Sequence, residues 1–452
     1  PMKPQTVLNQ WIVSTLIFMS LITIGYGQSS IDLTYSNASS NTVFNVSSIK
    51  NGKKVYSHRP TSNLPAGGTA TLIINVTEIS GNPQAGIWVE HARHGYDYSD
   101  RSFVKKQRRQ VESVVKKYKD HPAILAWGLG NEVELRLSDE DAEAMWEEMN
   151  ELALIVKKAD PDHPIMSSVA GFDQKKINML QKHFPELDII GANAYGFAPR
   201  VGILLKEYGW KKPYMITEFG PIGPWEGVAE SEWGAPIEET SHEKAKRYRD
   251  AQVAAMEEDS EYCLGTFPFY WGNKQETTST WFGMFLPGGE HLEAVDIMSY
   301  SWNKKYPENR VPEIVSLDSK AKLNTVKKRS IQTAKVEVLD HEKDELAYHW
   351  VLMDESKEES VGGDFEKTPT SYPKLILSTS GSSVDFKAPR KKGAYRLFVY
   401  VKDTNNGAAT ANFPFYVDSF KTSPSSFSIV PSEYTISILG SVASESLYRT
   451  GI

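Results

Sequence analysis

Cysteine is almost missing from this chain of 452 residues. The single thiol, Cys263, excludes any disulfide within the chain. It sits in the apolar run YCLGTFPFYW, where it reads as a small core residue. A chain of this length is able to reach stability through its core alone. Basic clusters are missing as well. Lys and Arg alternate with Asp and Glu, as in KKYKDH, and the formal net charge is −7, a pattern that excludes a nucleic-acid-binding face and reads as solvated helix surface. No Gly-rich phosphate loop follows any strand-like run. Long apolar runs are missing except at the start, where Lys3 precedes WIVSTLIFMSLITIGYG with its small residues Gly25 and Gly27. Residues 1–27 have the layout of a secretory signal peptide cleaved near Gln28, which implies a secreted protein. A buried N-terminal helix and a membrane anchor stay open as alternatives, although the run falls short of the roughly 20 residues that span a bilayer.

The length suits two or three domains. Residues 28–84 are rich in Ser, Thr, Asn and Gly, with short β-type runs such as TATLIINVTEI, and read as a small strand-rich or irregular region. Sequons at Asn37, Asn45 and Asn75 matter only in a host that glycosylates them. Over residues 85–310 apolar runs (GIWVEH, AILAWGLG, PIMSSVA, LDIIGANAY, PYMITEFG, LGTFPFYWG) alternate with polar helical stretches. Ser138 opens one of these helices as an N-cap, and KKADPDHP closes it. Strand, helix, strand, helix with near-continuous apolar strands predicts a parallel sheet covered by helices. The strands end in His91, Asn131 with Glu132, Asn193 with Tyr195, Glu218 and Trp271. Polar and aromatic residues at successive strand ends predict an α/β fold, a (β/α)8 TIM-type barrel with its site at that face; a doubly wound sheet is the alternative. Short alternating strands over 330–418 predict an all-β, Ig-like sandwich, followed by a Ser-rich tail at 419–452.

Two glutamates share one design. Glu132 follows the apolar run of AILAWGLGNEVE, and Glu218 follows that of PYMITEFG, two βα units later. In a closed barrel the two carboxylates meet across the mouth. Cleaving a glycosidic bond needs such a pair, one as proton donor and one as nucleophile or base, with environments that push their pKa values apart. Each Glu alone reads equally well as a solvated loop residue.

HPAILAWGLGNEVE and KPYMITEFGPIGPWE resemble the acid/base and nucleophile motifs of retaining glycoside hydrolases built on (β/α)8 barrels, family 2 type, the β-galactosidase, β-glucuronidase and β-mannosidase group. The resemblance covers about residues 85–310. It implies that Glu132 is the acid/base, that Asn131 hydrogen-bonds the sugar 2-hydroxyl, and that Glu218 is the nucleophile. By the same resemblance Tyr195 orients Glu218, Trp271 forms the sugar platform, and Trp225 and Trp281 are outer platforms on loops. His91, with His94 three residues on, raises a metal site, but no further ligands complete it. The barrel reading makes His91 and Asp97 sugar-binding groups instead, so no metal and no cofactor are implied.

Six βα units are readable, matching the third to the eighth of the family barrel. The first two, with an Arg on the second strand, have no counterpart in residues 28–84, whose one Arg is Arg59. A shortened or wrongly joined chain, a divergent barrel using TLIINV as a replacement strand, and a partner chain supplying the rest all stay open. Two functions follow: a secreted retaining β-glycosidase (or transglycosylase) acting on oligo- or polysaccharide, and a non-catalytic carbohydrate-binding or scaffold protein on a cut-down barrel.

Overall fold

The computed structural model describes residues 30–36, 45–50, 53–57, 69–75, 89, 96–120, 124–357 and 365–419. The signal-peptide stretch, Arg59, His91, His94, most of GIWVEH and the tail beyond 419 lie outside the described residues. Near the N-terminus β1 (Ser30–Ser36) pairs antiparallel with β4 (Thr69–Asn75), and β2 (Asn45–Lys50) with β3 (Lys53–Ser57). The run TLIINV thus falls largely in an antiparallel pair and is not a replacement strand of the parallel sheet.

The central sheet holds β5 (Trp127–Asn131), β6 (Ile165–Ala170), β7 (Ile189–Asn193), β8 (Tyr214–Phe219) and β9 (Cys263–Pro268), all parallel and in strictly sequential order. A doubly wound sheet reverses its order at a switch point, and this one does not; sequential order is that of a TIM-type wall. Helices join the strands: α1 (Arg101–Tyr118) leads in, then α2 (Asp139–Ala159), α3 (Gln174–His183), α4 (Val201–Glu207), α5 (Ser241–Met256) and, after β9, α6 (Glu293–Asn303). Their ends obey local chemistry. The Ser138 hydroxyl accepts the Asp141 N–H, acids fill the first turn of α2 and Lys157 and Lys158 its last, and Thr240 with Glu243 forms a full capping box on α5.

Strand alternation sorts side chains onto two faces. Leu129, Ile165, Val169, Ile190 and Ile216 pack outward against Met145, Met149, Leu152 and Val156 of α2 and the other helices. Ala126, Met166, Ile189 and Met215, with Phe267 beside them, form a separate inward layer. Above that layer the inward residues turn small and polar. Ser168 and Thr217 lie so close to Gly191 that a Cβ there would meet both at 2.8 Å.

Two four-stranded sheets follow. One has the order β10 (Glu313–Ser319), β12 (Ile331–Leu339), β15 (Ser383–Lys387), β14 (Ile376–Ser380). The other runs β11 (Thr325–Lys327), β17 (Ala408–Asp418), β16 (Gly393–Lys402), β13 (Ala347–Asp354). A shared core of Leu317, Val336, Trp350, Leu352, Phe386, Leu397, Phe413 and Phe415 makes them a sandwich. The sandwich grips the loops at the site end of the parallel sheet. Arg396, fully buried on β16, pairs with Glu355 (2.7 Å) and donates to the Pro236 carbonyl (2.8 Å) in the loop after β8. Asn412 donates to Glu238 (2.6 Å) in the same loop, and the Thr410 N–H donates to Ser241 Oγ (3.0 Å) at the start of α5. Glu238 is further held by Lys244, Thr278 and Thr280, so this buried acid is fully paired.

Two departures from regular pairing matter for the site. Between Gly128 and Asn131, β5 carries one residue more than β6 opposite it; between Ile216 and Glu218, β8 carries one more than β7. Each is a bulge in the parallel sheet, and such bulges re-aim side chains. Gly130, in the first, has φ +69°, and a Cβ there would lie 2.3 Å from Val133 Cγ2. Gly130→Ala is therefore expected to lower stability by about 2 kcal/mol or more, since the left-handed backbone alone costs roughly 1–2 kcal/mol. Gly227→Ala, at φ +75° with nothing within 4 Å of its Cβ, should show the backbone cost alone. Urea midpoints compare the two; equal losses would mean that Val133 yields and the bulge accepts a side chain.

Candidate active site

Both bulges deliver an acid to the C-terminal end of the sheet. In a regular strand successive side chains point to opposite faces. Here Asn131 and Glu132 reach the same partner, and Glu218 stands in register with Asn193 directly after the inward Thr217. Glu132 adopts φ 52°, a conformation a non-glycine residue rarely holds, and its N–H donates to the Ser168 carbonyl at 2.8 Å.

Asn193, buried at the end of the central strand, ties the acids together. Its Nδ2 donates to Glu132 Oε1 (2.8 Å) and to Asn131 Oδ1 (3.1 Å), while its Oδ1 accepts from the Thr217 hydroxyl (2.7 Å). The Thr217 hydroxyl can serve either end of the amide, so it is the carboxyl oxygen of Glu132, taking the Asn193 N–H, that sets which way the amide faces. On the other side the Tyr195 phenol donates to Glu218 Oε2 at 2.6 Å. Tyr195 is locked by rings: Phe269 meets it edge-on at 5.8 Å and Trp225 at 5.5 Å. Burial and the facing Glu218 hold its phenol well above the ordinary range, so it stays a donor.

The electrostatics follow from two carboxyl groups in one enclosed mouth. Glu218 is pushed up to about 8, first by burial and then by the Glu132 charge, with Glu276 adding to it and Tyr195 and Lys274 opposing. At neutral pH Glu218 therefore keeps much of its proton, facing the Glu132 carboxyl. One proton donor and one anion on either side of a gap is the arrangement needed for acid-assisted displacement at an acetal carbon.

The other sequence-predicted residues divide. Trp225 is 59% exposed and offers an aromatic face at the mouth, 5.8 Å from Phe282. Trp281 is not an outer platform: it is 2% exposed, packs among Tyr195, Phe269 and Phe282, and its indole N–H donates to the Ile222 carbonyl (3.0 Å). Trp271 is not brought to the Tyr195 cluster either. Its half-buried ring lies against Phe285 (5.1 Å) and against the exposed Trp302 of α6 (5.9 Å), at the edge of the core between sheet and helices, while Phe269 and Tyr270 before it pack in the Tyr195 cluster. Asp97 is exposed and engaged in a local turn, accepting from the Ser99 N–H and hydroxyl. His91 lies outside the described residues.

Three site residues carried too little sequence signal to be singled out for a role: Asn193, Lys274 and Glu276. Asn193 stood in plain view at a strand end, and KQE (274–276) follows the last strand. Glu226 was also missed; its Oε2 accepts the Gly223 and Gly196 N–H groups (2.7 and 2.8 Å) and staples the loops after β7 and β8. Among the described residues two groups have the spacing of metal ligands, His242–Glu293–Glu313 and Asp340–Asp344–Asp403, and neither includes a residue of the carboxylate pair.

Comparisons with known proteins lead to glycoside hydrolases. The beta-galactosidase model of glycoside hydrolase family 42 matches residues 50–152. Mannan endo-1,4-beta-mannosidase 3 of Arabidopsis thaliana is 28% identical over 115 residues, 23% of this chain and 28% of the mannosidase. Among solved structures, a Bacteroides uniformis beta-glucuronidase aligns at 13% identity and TM-score 0.35 over 71% of this chain and 37% of its own. A family 39 beta-xylosidase from Caulobacter crescentus aligns at 11% identity and TM-score 0.33 over 63% of this chain and 72% of its own. The chain thus spans well under half the length of the mannosidase and the glucuronidase it matches.

The raised Glu218 predicts a pH signature in stability. An acid held above its unfolded value binds more protons folded than unfolded, so it stabilises fully below the unfolded pKa and that contribution fades as pH rises toward 8. Glu218→Gln removes this dependence. Its melting temperature relative to the parent should therefore climb between pH 5 and pH 8, and parallel thermal melts check it. A difference that stays constant across that range would show that Glu218 is ionised throughout.

Proposed function

We propose that this protein is a secreted retaining β-glycosidase of the family 2 type. The observation that carries the reading is the joined pair: two strand-end glutamates linked through the Asn193 amide, with a phenol on one of them. Glu132, which accepts from Asn193 at Oε1, takes up the proton from Glu218 when substrate binds and hands it to the leaving glycosidic oxygen. Glu218, whose ionised form the Tyr195 hydrogen bond favours, attacks the anomeric carbon and forms a glycosyl ester. Glu132, now a base, takes a proton from water, and the hydroxide so formed releases the sugar. Asn131 is placed beside Glu132 to bond the sugar 2-hydroxyl, and the open face of Trp225 provides apolar contact for an outer sugar unit. Export rests on the N-terminal sequence pattern. The barrel over 85–310 and an Ig-like module over 330–418 complete the proposed layout.

The names of the matched relatives, beta-galactosidase and endo-1,4-beta-mannosidase, set the first substrates to try: aryl β-galactosides and β-mannosides, then β-mannans. The parent should release the aryl group with the β-configuration kept in the first-formed sugar. Glu218→Ala should abolish release, and Glu132→Ala should lower it about 10²–10⁴-fold, least for the most acidic leaving groups. Proton NMR of the fresh product reads the configuration. No release by parent protein that unfolds cooperatively would leave a carbohydrate-binding protein on the same scaffold.

A further inference from the structure

Lys274 and Glu276 lie on the turn after β9, against the ring wall that holds Tyr195, and the double displacement assigns them no step. Lys274 Nζ lies 2.6 Å from Glu276 Oε2, with 19% and 8% of their side chains exposed. The same ammonium sits 5.4 Å from the centre of the Phe269 ring, the ring that meets Tyr195 edge-on. Phe269 is itself stapled to β8, its N–H donating to the Phe219 carbonyl at 2.7 Å, one residue beyond Glu218. An ion pair in so enclosed a wall acts on its neighbours with little screening.

The turn that carries the pair is fixed rather than free. Glu276 and Thr278 exchange backbone hydrogen bonds (3.0 and 2.6 Å), with Thr277 between them at φ 62°. The Thr277 N–H donates to Glu366 Oε2 at 2.6 Å, a buried acid from the segment that follows β13. Such anchoring suits groups whose placement matters more than their solvation.

We propose that Lys274 and Glu276 are positioning residues of opposite sign that together decide how the proton is shared between Glu132 and Glu218. The inference rests on the glycosidase reading for its purpose, but its physical content stands on the pair itself. Among the described residues the groups acting on Glu218 are Glu132 at the end of β5, Tyr195 after β7, and Lys274 with Glu276 after β9; Glu366 lies behind Glu276. Lys274 favours the Glu218 anion, and Glu276 opposes it. A lone ammonium would draw the proton away from Glu218 more strongly. With Glu276 attached, its pull is moderated, and the two catalytic groups remain able to exchange the proton.

Opposite signs give a test that a merely structural pair would fail. The full chain, labelled with ¹³C at the glutamate carboxyl carbon, is titrated by NMR, and the Glu218 signal is assigned by its loss in Glu218→Gln. Lys274→Met should raise the Glu218 midpoint, by about one pH unit at most, since the opposite charge lies beyond contact range. Glu276→Gln should lower it, and Lys274→Arg should leave it near the parent value. The acid limb of the kcat/KM profile should move with each midpoint. Midpoints that shift in the same direction in Lys274→Met and Glu276→Gln, or that do not shift, overturn the proposal. Where Lys274→Met does not fold, the Glu276→Gln arm decides alone by its sign. Failure of the glycosidase reading shows separately, as no sugar release by the parent, and leaves the NMR midpoints to decide on proton sharing.

Discussion

A β-strand presents alternate residues to alternate faces, and the candidate site exists because two strands break that rule at the same height. One extra residue in β5 and one in β8 allow consecutive side chains to serve the mouth of the sheet. On β5 the gain is an amide next to an acid; on β8 it is a hydroxyl next to an acid. Between them β7 pairs regularly, and the single Asn193 amide collects Asn131, Glu132 and Thr217. The regular strand supplies the fixed point, and the two bulged strands supply reach. Had β8 kept its alternation, Glu218 would face the helix layer among apolar side chains, where an unpaired carboxylate is costly.

The sandwich belongs to the same construction. A sheet of five strands leaves its long loops after β8 and β9 without a floor. Arg396, Asn412 and Thr410 reach those loops from β16 and β17, and Glu366 reaches the turn at Thr277. The contacts are polar and buried, which makes them specific in geometry more than strong in net free energy; losing one partner is what costs heavily. The loops so held carry Trp225, Lys274 and Glu276. The order of the mouth therefore depends on residues 89 to 174 positions away in sequence, and the sandwich is a support for the site as well as a neighbour of it.

Much of this was legible in the residues, and the exceptions have physical reasons. Apolar runs alternating with capped helices specify a parallel sheet, and Glu132 and Glu218 stand out as a pair, two acids ending apolar runs two βα units apart. The sequential strand order fits the barrel reading over the doubly wound one. Trp271 and Trp281 were misplaced because sequence shows an aromatic near a strand end but not which face it takes. Trp281 found a backbone carbonyl for its N–H and could be buried, whereas Trp225 remained at the surface. The Gly130 bulge leaves a trace, a glycine inside a strand; the β8 bulge at Thr217 leaves none. Asn193 went unassigned because an amide declares its role only once its partners are known.

Burial and the Glu132 charge raise Glu218, and its hydrogen-bond donor works against that rise. Glu132 and Glu218 share one mouth, and their mutual repulsion raises whichever ionises second. The donors differ. Tyr195 gives Glu218 a short O–H bond from a phenol that burial keeps protonated, while Glu132 receives a neutral amide N–H that is shared with Asn131. The phenol favours the Glu218 anion and so opposes the rise that burial and the Glu132 charge impose on that group. The proposed double displacement needs a proton that moves in both directions, with Glu132 giving it up as Glu218 loses its charge to the sugar. An arrangement that fixed the proton more firmly would complete one half of the cycle and stall in the other.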